Sequence, residues 1–353
     1  MNNGKGVSQY EVIRQLRFPM IVLVTFAHSY GKVEEGFSLL ASDWNTYEFL
    51  KLLVSQMLVK VAVPVFFIMS GYLFFANVDK WDITTYKKKL LRRIKTLLIP
   101  YLIWNLLMAV KLKTFSMSMF WAFWNPAGKQ IDWFGHEQLM TAPANMPLWF
   151  LRDLMAVSLL TPIIYILVRR LGYWLIGLLT ILYFSGVYAF IPGLSAYAIY
   201  FFTFGAFLSI RKMDLITSLK RVEIPAYLLS VSFAISMLMT YNTPAFSSLM
   251  LCFRLTGAIA VFCLASRILS ATDKRLPSVV CNSAYFIYLA HYVFFFYFID
   301  TAFFALFGTS VLALSLHYLL VPLVKVFLMI IVYLIYSRMM VKGTSANKEG
   351  ITS

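Results

Sequence analysis

The chain has few charged residues, and acidic ones are the scarcer kind. Only 13% of its 353 residues are charged, against about 25% in an ordinary soluble domain. Asp and Glu number 15 and Lys and Arg 31, while hydrophobic residues make up 61%. This composition excludes a soluble globular enzyme and predicts a polytopic membrane protein. The net charge of +16, which in a soluble protein would suggest nucleic acid, is better explained by basic cytoplasmic loops, so we expect no nucleic-acid partner.

Cysteine is scarce as well. Cys252, Cys263 and Cys281 lie in or beside apolar segments and show no metal-type spacing. We therefore predict no disulfide, no cysteine-bound metal and no metal cofactor. The sequence also lacks a Walker loop and the GxGxxG, HExxH and GxSxG motifs, so several enzyme classes are without their motifs.

Apolar stretches of spanning length, about 20 residues, are frequent instead. They predict an all-α bundle of about ten transmembrane helices, at 12–31, 50–76, 90–111, 147–168, 172–190, 195–210, 224–241, 247–269, 281–307 and 312–337. The second stretch is long enough to contain a break, and Pro64 is its predicted place. No small-residue cleavage site follows the first stretch, so we interpret it as a retained span rather than a signal peptide.

The placement of basic residues indicates the orientation. With the N-terminus inside, most of the 31 lysines and arginines fall in cytoplasmic segments, and only Lys32, Lys111, Lys113 and Lys129 fall in outer ones. Both termini are therefore predicted cytoplasmic, in a multi-pass protein of the cell membrane. We expect one membrane domain over 1–341 and a short polar tail over 342–353.

An arginine and a histidine bound the first apolar run, Arg17 to His28, with ten residues between them. In a helix, eleven steps of about 100° bring His28 to within about 20° of the Arg17 face, roughly 16 Å further along the axis. Ionisable side chains are costly in hydrocarbon, so the pair suggests a lined cavity. The alternative, which the spacing leaves equally open, is that Arg17 marks the cytoplasmic end of a helix and reaches to the headgroups.

Other ionisable residues fall in the outer halves or near the middle of the predicted helices. They are Lys60, Arg152, Asp153, Arg254, His291, Asp300, His317 and Lys325. If they converge, they would suit an outward-opening polar cavity, with Lys60, Arg152 and Asp153 as candidates for substrate binding. The alternative is structural pairing, of Arg152 with Asp153 or of Asp300 with Lys325 or Arg254.

Two histidines are candidates for catalysis because imidazole takes and returns a proton near neutral pH. These are His28 and His291, the second in the run YFIYLAHYVFF. The alternative for each is a packing residue with satisfied hydrogen bonds. We expect His317 to be structural and His136, in an outer loop, to lie at the surface.

The segment YKKKLLRRIKTLLIP places six basic residues within nine positions before Pro100. The ordinary excess of positive charge on the cytoplasmic side explains most of this charge. The functional alternative is a phosphate-binding patch, in which arginine forks hold oxyanions and lysines add point charges. Arg92, Arg93 and Lys95 are its candidates.

Taken together, these features resemble acyltransferase family 3, a family of integral membrane O-acyltransferases. The resemblance covers nearly the whole chain and rests on the order and spacing of six motifs. They are Arg17-x(10)-His28, VPVFFIMSGYLF at 63–74, RRIKTLLIPY at 92–101, LWFLRDL at 148–154, IYFFTFGAFL at 199–208 and SAYFIYLAH at 283–291.

The resemblance implies transfer of an acyl group from cytoplasmic acyl-CoA, usually acetyl-CoA, to a sugar hydroxyl beyond the membrane or on a lipid-linked glycan. It implies roles in activity for Arg17 and His28. The family carries an Arg-x-Arg motif in the basic loop, where this chain has Arg93-Ile94-Lys95, and lysine cannot reproduce a bidentate arginine contact.

Some family members carry an additional esterase-like domain outside the membrane. We expect this chain to act without one, alone or with a separate partner of a polysaccharide pathway. The alternative function is a transporter or flippase for a lipid-linked saccharide, although such a protein does not require the Arg17-x(10)-His28 motif, and the inverted repeats common in transporters are not apparent.

Overall fold

The computed structural model describes residues 7–29, 45–111, 126–131, 137–141, 143–185, 193–272, 274–294 and 296–349. The predicted helical class is confirmed over these ranges, with one exception. Strands β1 (Pro126–Ile131) and β2 (Glu137–Thr141) pair as an antiparallel hairpin. These segments show no alternation of apolar and polar residues, which is why the sequence did not predict strands. His136 lies outside the described residues.

Fifteen helices follow one another along the described residues. They are α1 (Gln9–Ser29), α2 (Thr46–Leu50), α3 (Ala62–Phe75), α4 (Ile83–Arg93), α5 (Ile99–Lys111), α6 (Trp149–Leu159), α7 (Thr161–Leu171), α8 (Tyr173–Phe184), α9 (Ala196–Ile210), α10 (Leu215–Lys220), α11 (Glu223–Met239), α12 (Pro244–Thr272), α13 (Ser278–Ala290), α14 (Tyr297–Phe307) and α15 (Val311–Glu349). A π-helical segment, Ile94–Leu98, joins α4 to α5.

Helices coincide with the described part of every predicted apolar stretch, and two stretches besides the second, which is described below, are interrupted. The stretch 147–168 bends after Leu159, and 281–307 is interrupted between Ala290 and Tyr297. Four continuous helical segments of the described residues are long and apolar enough to cross a membrane. Helices α6 and α7, with a bend of 62° between them, would be a fifth if they form one span. The protein is thus a membrane protein with several apolar helices, while the count of ten spans and the position of the termini stay predictions.

The second stretch is irregular as predicted, but the irregular part lies before Pro64, which itself belongs to α3. Between α2 and α3 the chain forms a π turn, Lys51–Met57, and a 3₁₀ turn, Leu58–Val61. Pro64 has no N–H to donate to the carbonyl of Lys60, four residues earlier, so this helical hydrogen bond is missing where the 3₁₀ turn passes into α3. Lys60 lies on the 3₁₀ turn.

Helices α3 and α9 form the most extensive helix pair of the fold. Two glycines allow their backbones to touch. A Cβ on Gly71 would lie 2.0 Å from the carbonyl oxygen of Phe202, and a Cβ on Gly205 would lie 2.1 Å from that of Ile68. Both distances are far shorter than van der Waals contact, so only glycine fits at either position.

We expect Gly71→Ala and Gly205→Ala each to destabilise the protein, because the added methyl group must displace a backbone carbonyl. Overpacking of this kind costs roughly 1–3 kcal/mol. The melting temperature of purified protein in detergent measures the effect. Gly177→Ala in α8 is the matched control, since a Cβ there meets nothing within 4 Å and alanine favours the helix. Equal melting temperatures for the three variants would contradict the close crossing.

Candidate active site

A cavity of about 480 Å³ lies among α1, α3, α4, α6 and α13. Four cations from two helices line it, and these are Arg17, Lys89, Arg92 and Arg93. Most of the remaining wall is apolar or aromatic and includes Ile21, Phe66, Met69, Leu73, Phe150, Leu151, Leu154 and Tyr288. No carboxylate lines the cavity among the described residues. The cations therefore favour an anionic ligand with an apolar extension.

Helical spacing explains which basic residues reach the cavity. Lys89, Arg92, Arg93 and Thr96 are related by steps of three, four and seven residues, so they share one face of the helix. Lys95 follows Arg92 by three positions, yet it lies exposed and does not line the cavity. The predicted Arg92 and Arg93 are thus in the site, and Lys89, which the same spacing rule would have identified, joins them where we expected Lys95.

Two of these cations lie over the same aromatic ring, that of Phe74. The guanidinium carbon of Arg93 lies 5.4 Å from the ring centre of Phe74, and the Lys89 Nζ lies 5.5 Å from it. Both distances are within the range of a cation–π interaction. Tyr285 of α13 also lines the cavity, and its hydroxyl donates to the carbonyl of Thr96 at 2.6 Å. This hydrogen bond ties α13 to the segment that follows the cations.

Arg17 reaches the cavity from α1, and Ile21, one turn later, lines it as well. The helix face predicted from the Arg17–His28 spacing therefore borders a cavity at its Arg17 end. The guanidinium of Arg17 forms no ion pair with a carboxylate in the part of the chain that the structure describes.

His28, in the last turn of α1, meets His291 with 5.3 Å between the ring centres. His291 is the first residue after α13, and its Nδ1 lies 2.8 Å from the carbonyl oxygen of Tyr288 and 3.2 Å from that of Ile287. Carbonyls only accept, so Nδ1 carries the proton and Nε2 keeps a lone pair. That Nε2 is buried and has no hydrogen-bond partner among the described residues. The pair thus contains a nitrogen able to accept a proton.

Tyr288 connects the cavity to the two histidines. It lines the cavity, and its backbone carbonyl is the one that accepts from His291, one turn further along α13. Its hydroxyl donates to the carbonyl of Pro147 at 2.7 Å, and its ring lies 6.0 Å from that of Phe150. The apolar part of the cavity therefore approaches the histidine pair along α13.

Arg152 and Asp153 lie outside the cavity and pair with each other. Arg152 Nη2 lies 3.0 Å from Asp153 Oδ1, and the two side chains are 7% and 3% exposed. The other carboxylate oxygen accepts from the hydroxyl of Ser195 at 3.0 Å. This is the structural arrangement anticipated as the alternative, and it holds the start of α6 to the start of α9. Neither residue lines the cation-lined cavity, and their predicted contact with substrate stays a prediction.

The second anticipated pairing is also present. Lys325 Nζ lies 2.7 Å from one carboxylate oxygen of Asp300 and 3.0 Å from the other. His317 Nε2 lies 3.0 Å from the same carboxylate. Arg254 takes no part in this cluster and instead lies over the ring of Tyr197, 5.4 Å from its centre.

Comparison with known proteins identifies the family of the chain. The family model described as "Acyltransferase domain" (acyltransferase family 3) matches residues 11–338. The chain belongs to acyltransferase family 3. The succinoglycan biosynthesis protein ExoH of Rhizobium meliloti (strain 1021) is 28% identical over 168 residues, which cover 45% of this chain and 43% of that protein. No solved structure matches the chain. The resemblance seen in the motifs is thus confirmed, and with it an acyltransferase of the membrane.

If Asp300 and Lys325 are a structural pair, removing either should destabilise this acyltransferase more than removing both. A buried charge left without its partner costs roughly 3–5 kcal/mol, whereas replacing a whole pair is often neutral. A double-mutant cycle of Asp300→Asn and Lys325→Met, read from melting temperatures, measures the coupling. Additive effects of the two substitutions would show that the residues act independently.

Proposed function

We propose that this protein is a multi-pass O-acyltransferase of the cytoplasmic membrane. It moves an acyl group, most simply acetyl, from cytoplasmic acyl-CoA to a hydroxyl of a surface or lipid-linked glycan. One observation carries the proposal: a single helix, α1, bears Arg17 at a cation-lined cavity and His28 beside a second histidine. Family membership supports acyl transfer, and the relative named for succinoglycan biosynthesis supports an exported polysaccharide as the acceptor.

The cationic part of the cavity suits the phosphates of CoA. Arginine forks bind phosphate oxygens in pairs and a lysine adds a point charge, and Arg92, Arg93 and Lys89 supply both kinds of contact on one helix face. Arg17 adds a cation from the opposite wall. The apolar remainder of the cavity suits the pantetheine arm, and its wall at Leu151 and Tyr288 contributes no charge, which favours a neutral acyl group such as acetyl.

His28 acts as the general base at the reacting end. It removes the proton from the acceptor hydroxyl while the hydroxyl oxygen bonds to the acyl carbon; the carbon–sulfur bond breaks, and the CoA thiolate leaves and is protonated. His291 lies beside His28, and its tautomer is fixed because Nδ1 donates to a carbonyl of α13. The buried lone pair on its Nε2 can therefore orient His28 or share the proton that His28 accepts. Alternatively, His28 carries the acyl group transiently as a nucleophile.

Transfer of labelled acetyl from acetyl-CoA to the membrane glycan fraction tests this assignment. Loss of a general base removes roughly 10²–10⁴-fold in rate, so we expect His28→Ala to reduce the label by at least that order, and Arg17→Ala to reduce it strongly. Arg14→Ala is the control, since Arg14 lies in the same helix but pairs with Glu11 at 2.8 Å. Normal transfer by His28→Ala at matched protein level would rule out both roles for this histidine.

Binding of CoA to the purified protein tests the phosphate site separately. A ligand of the folded state raises the melting temperature, so CoA should stabilise the wild type. A charge-assisted hydrogen bond contributes roughly 1.5–3 kcal/mol, so Arg92→Gln and Arg93→Gln should each weaken apparent affinity by about tenfold or more. Lys88→Gln also removes one positive charge from α4, but Lys88 is exposed, so this variant should bind CoA as tightly as the wild type does. An identical shift in all variants would place CoA elsewhere.

A further inference from the structure

A second group of cations lies near His28 and outside the cavity. Lys60, on the 3₁₀ turn Leu58–Val61, and Arg254 of α12 are both half-buried. The turn packs against α12, so the two cations lie on neighbouring elements of the fold. Neither forms an ion pair with a carboxylate in the part of the chain that the structure describes. Two like charges held together inside an apolar protein are costly unless an anion joins them.

The packing of the 3₁₀ turn brings these two cations together. The turn contacts both α1, which carries His28, and α12, which carries Arg254. Gly257 lies one turn after Arg254, and a Cβ there would come within 2.6 Å of Val61 Cγ1. The missing side chain at Gly257 therefore allows the turn that carries Lys60 to approach α12 closely.

Aromatic residues hold the guanidinium of Arg254 without neutralising it. The guanidinium carbon lies 5.4 Å from the ring centre of Tyr197. Tyr183 lies beside it, with its hydroxyl proton donated to the carbonyl of Leu251 at 3.1 Å. The phenol oxygen of Tyr183 thus faces the cation as an acceptor, and the two rings leave the charge of Arg254 available to an outside anion.

We propose that Lys60 and Arg254 bind the diphosphate of a lipid-linked saccharide, the acceptor of acyl transfer. The inference rests on the proposed function and names its acceptor class. A guanidinium fork and an ammonium group match the oxygens of a diphosphate. The turn that carries Lys60 also contacts α1, whose last turn carries His28, so a diphosphate bound there brings its attached sugar towards the base. Arg152, the cation predicted for this role, is occupied by Asp153.

Thermal shift of the full-length protein in phosphatidylcholine nanodiscs tests the site, with farnesyl diphosphate as the probe and farnesol as its neutral counterpart. We expect farnesyl diphosphate to raise the melting temperature of the wild type and farnesol to leave it unchanged. Lys60→Gln and Arg254→Gln should each weaken the apparent affinity by about tenfold, and Lys60→Arg should keep most of it. Lys220→Gln, an exposed cation on α10, is the charge-matched control.

The CoA shift, measured on the same samples, separates the two proposals. Variants that keep the CoA shift are folded, so a lost farnesyl diphosphate shift is then specific to the second site. If the wild type responds to farnesyl diphosphate and not to CoA, the proposed function fails while an anion site stands. An equal response to farnesyl diphosphate in Lys60→Gln, Arg254→Gln and the control would overturn the assignment.

Two further probes distinguish other sources of an anion. Nanodiscs containing phosphatidylglycerol would remove the response to farnesyl diphosphate if the two residues bind a phospholipid headgroup. Glucuronate would stabilise the wild type, and not Lys60→Gln, if they bind a carboxylate of the glycan. Either result would overturn the diphosphate assignment. The assignment is supported if farnesyl diphosphate raises the melting temperature as expected, phosphatidylglycerol leaves that response in place and glucuronate has no effect.

Discussion

The arrangement of the site depends on the contact of two backbones at Gly71 and Gly205. Helix α3 contributes a wall of the cavity, and Ser195 caps α9 while Tyr197 lies in its first turn, so the crossing of these helices sets the distance between the cation-lined cavity and the residues around Arg254. The contact is steric, and it explains two of the family motifs without any chemical role. Both motifs place a glycine among large aromatic residues, where only a missing side chain allows the helices to approach.

The groups proposed for chemistry stand where helices end or change form. His28 lies in the last turn of α1, His291 follows the last residue of α13, and Lys60 lies on a 3₁₀ turn. A helix end leaves carbonyls without partners, and inside a membrane those carbonyls need a donor from the protein. His291 supplies one through Nδ1. These hydrogen bonds satisfy the carbonyls at the helix end and, because they use Nδ1 of His291, leave its Nε2 with a lone pair that can accept a proton.

Interactions along one helix could be predicted from the sequence, and so could one ion pair between successive helices, that of Asp300 with Lys325. The spacing of Arg17 and His28, the irregular helix before Pro64 and the pairing of Arg152 with Asp153 all follow from local geometry. The meeting of His28 with His291 and of Lys60 with Arg254 depends on how distant helices pack, which no single sequence states. Lys95, predicted for the phosphate site, lies exposed and outside the cavity lining, whereas Lys89, one turn before Arg92 and Arg93, lines the cavity. The hairpin β1–β2 was missed because its pairing has no pattern of alternating residues.

Under the proposed function, in which the donor is acyl-CoA bound at Arg17, helix α1 also acts as a spacer of fixed length. Its rise from Arg17 to His28 is set by the number of residues between them and not by the ligand, so every donor built on the same carrier arm arrives at the same depth. Selection among acyl groups must then occur beyond the arm, in the few side chains around the two histidines. A relative with the same spacing can therefore transfer a different acyl group through changes near His291 alone, while its carrier-binding end stays as it is.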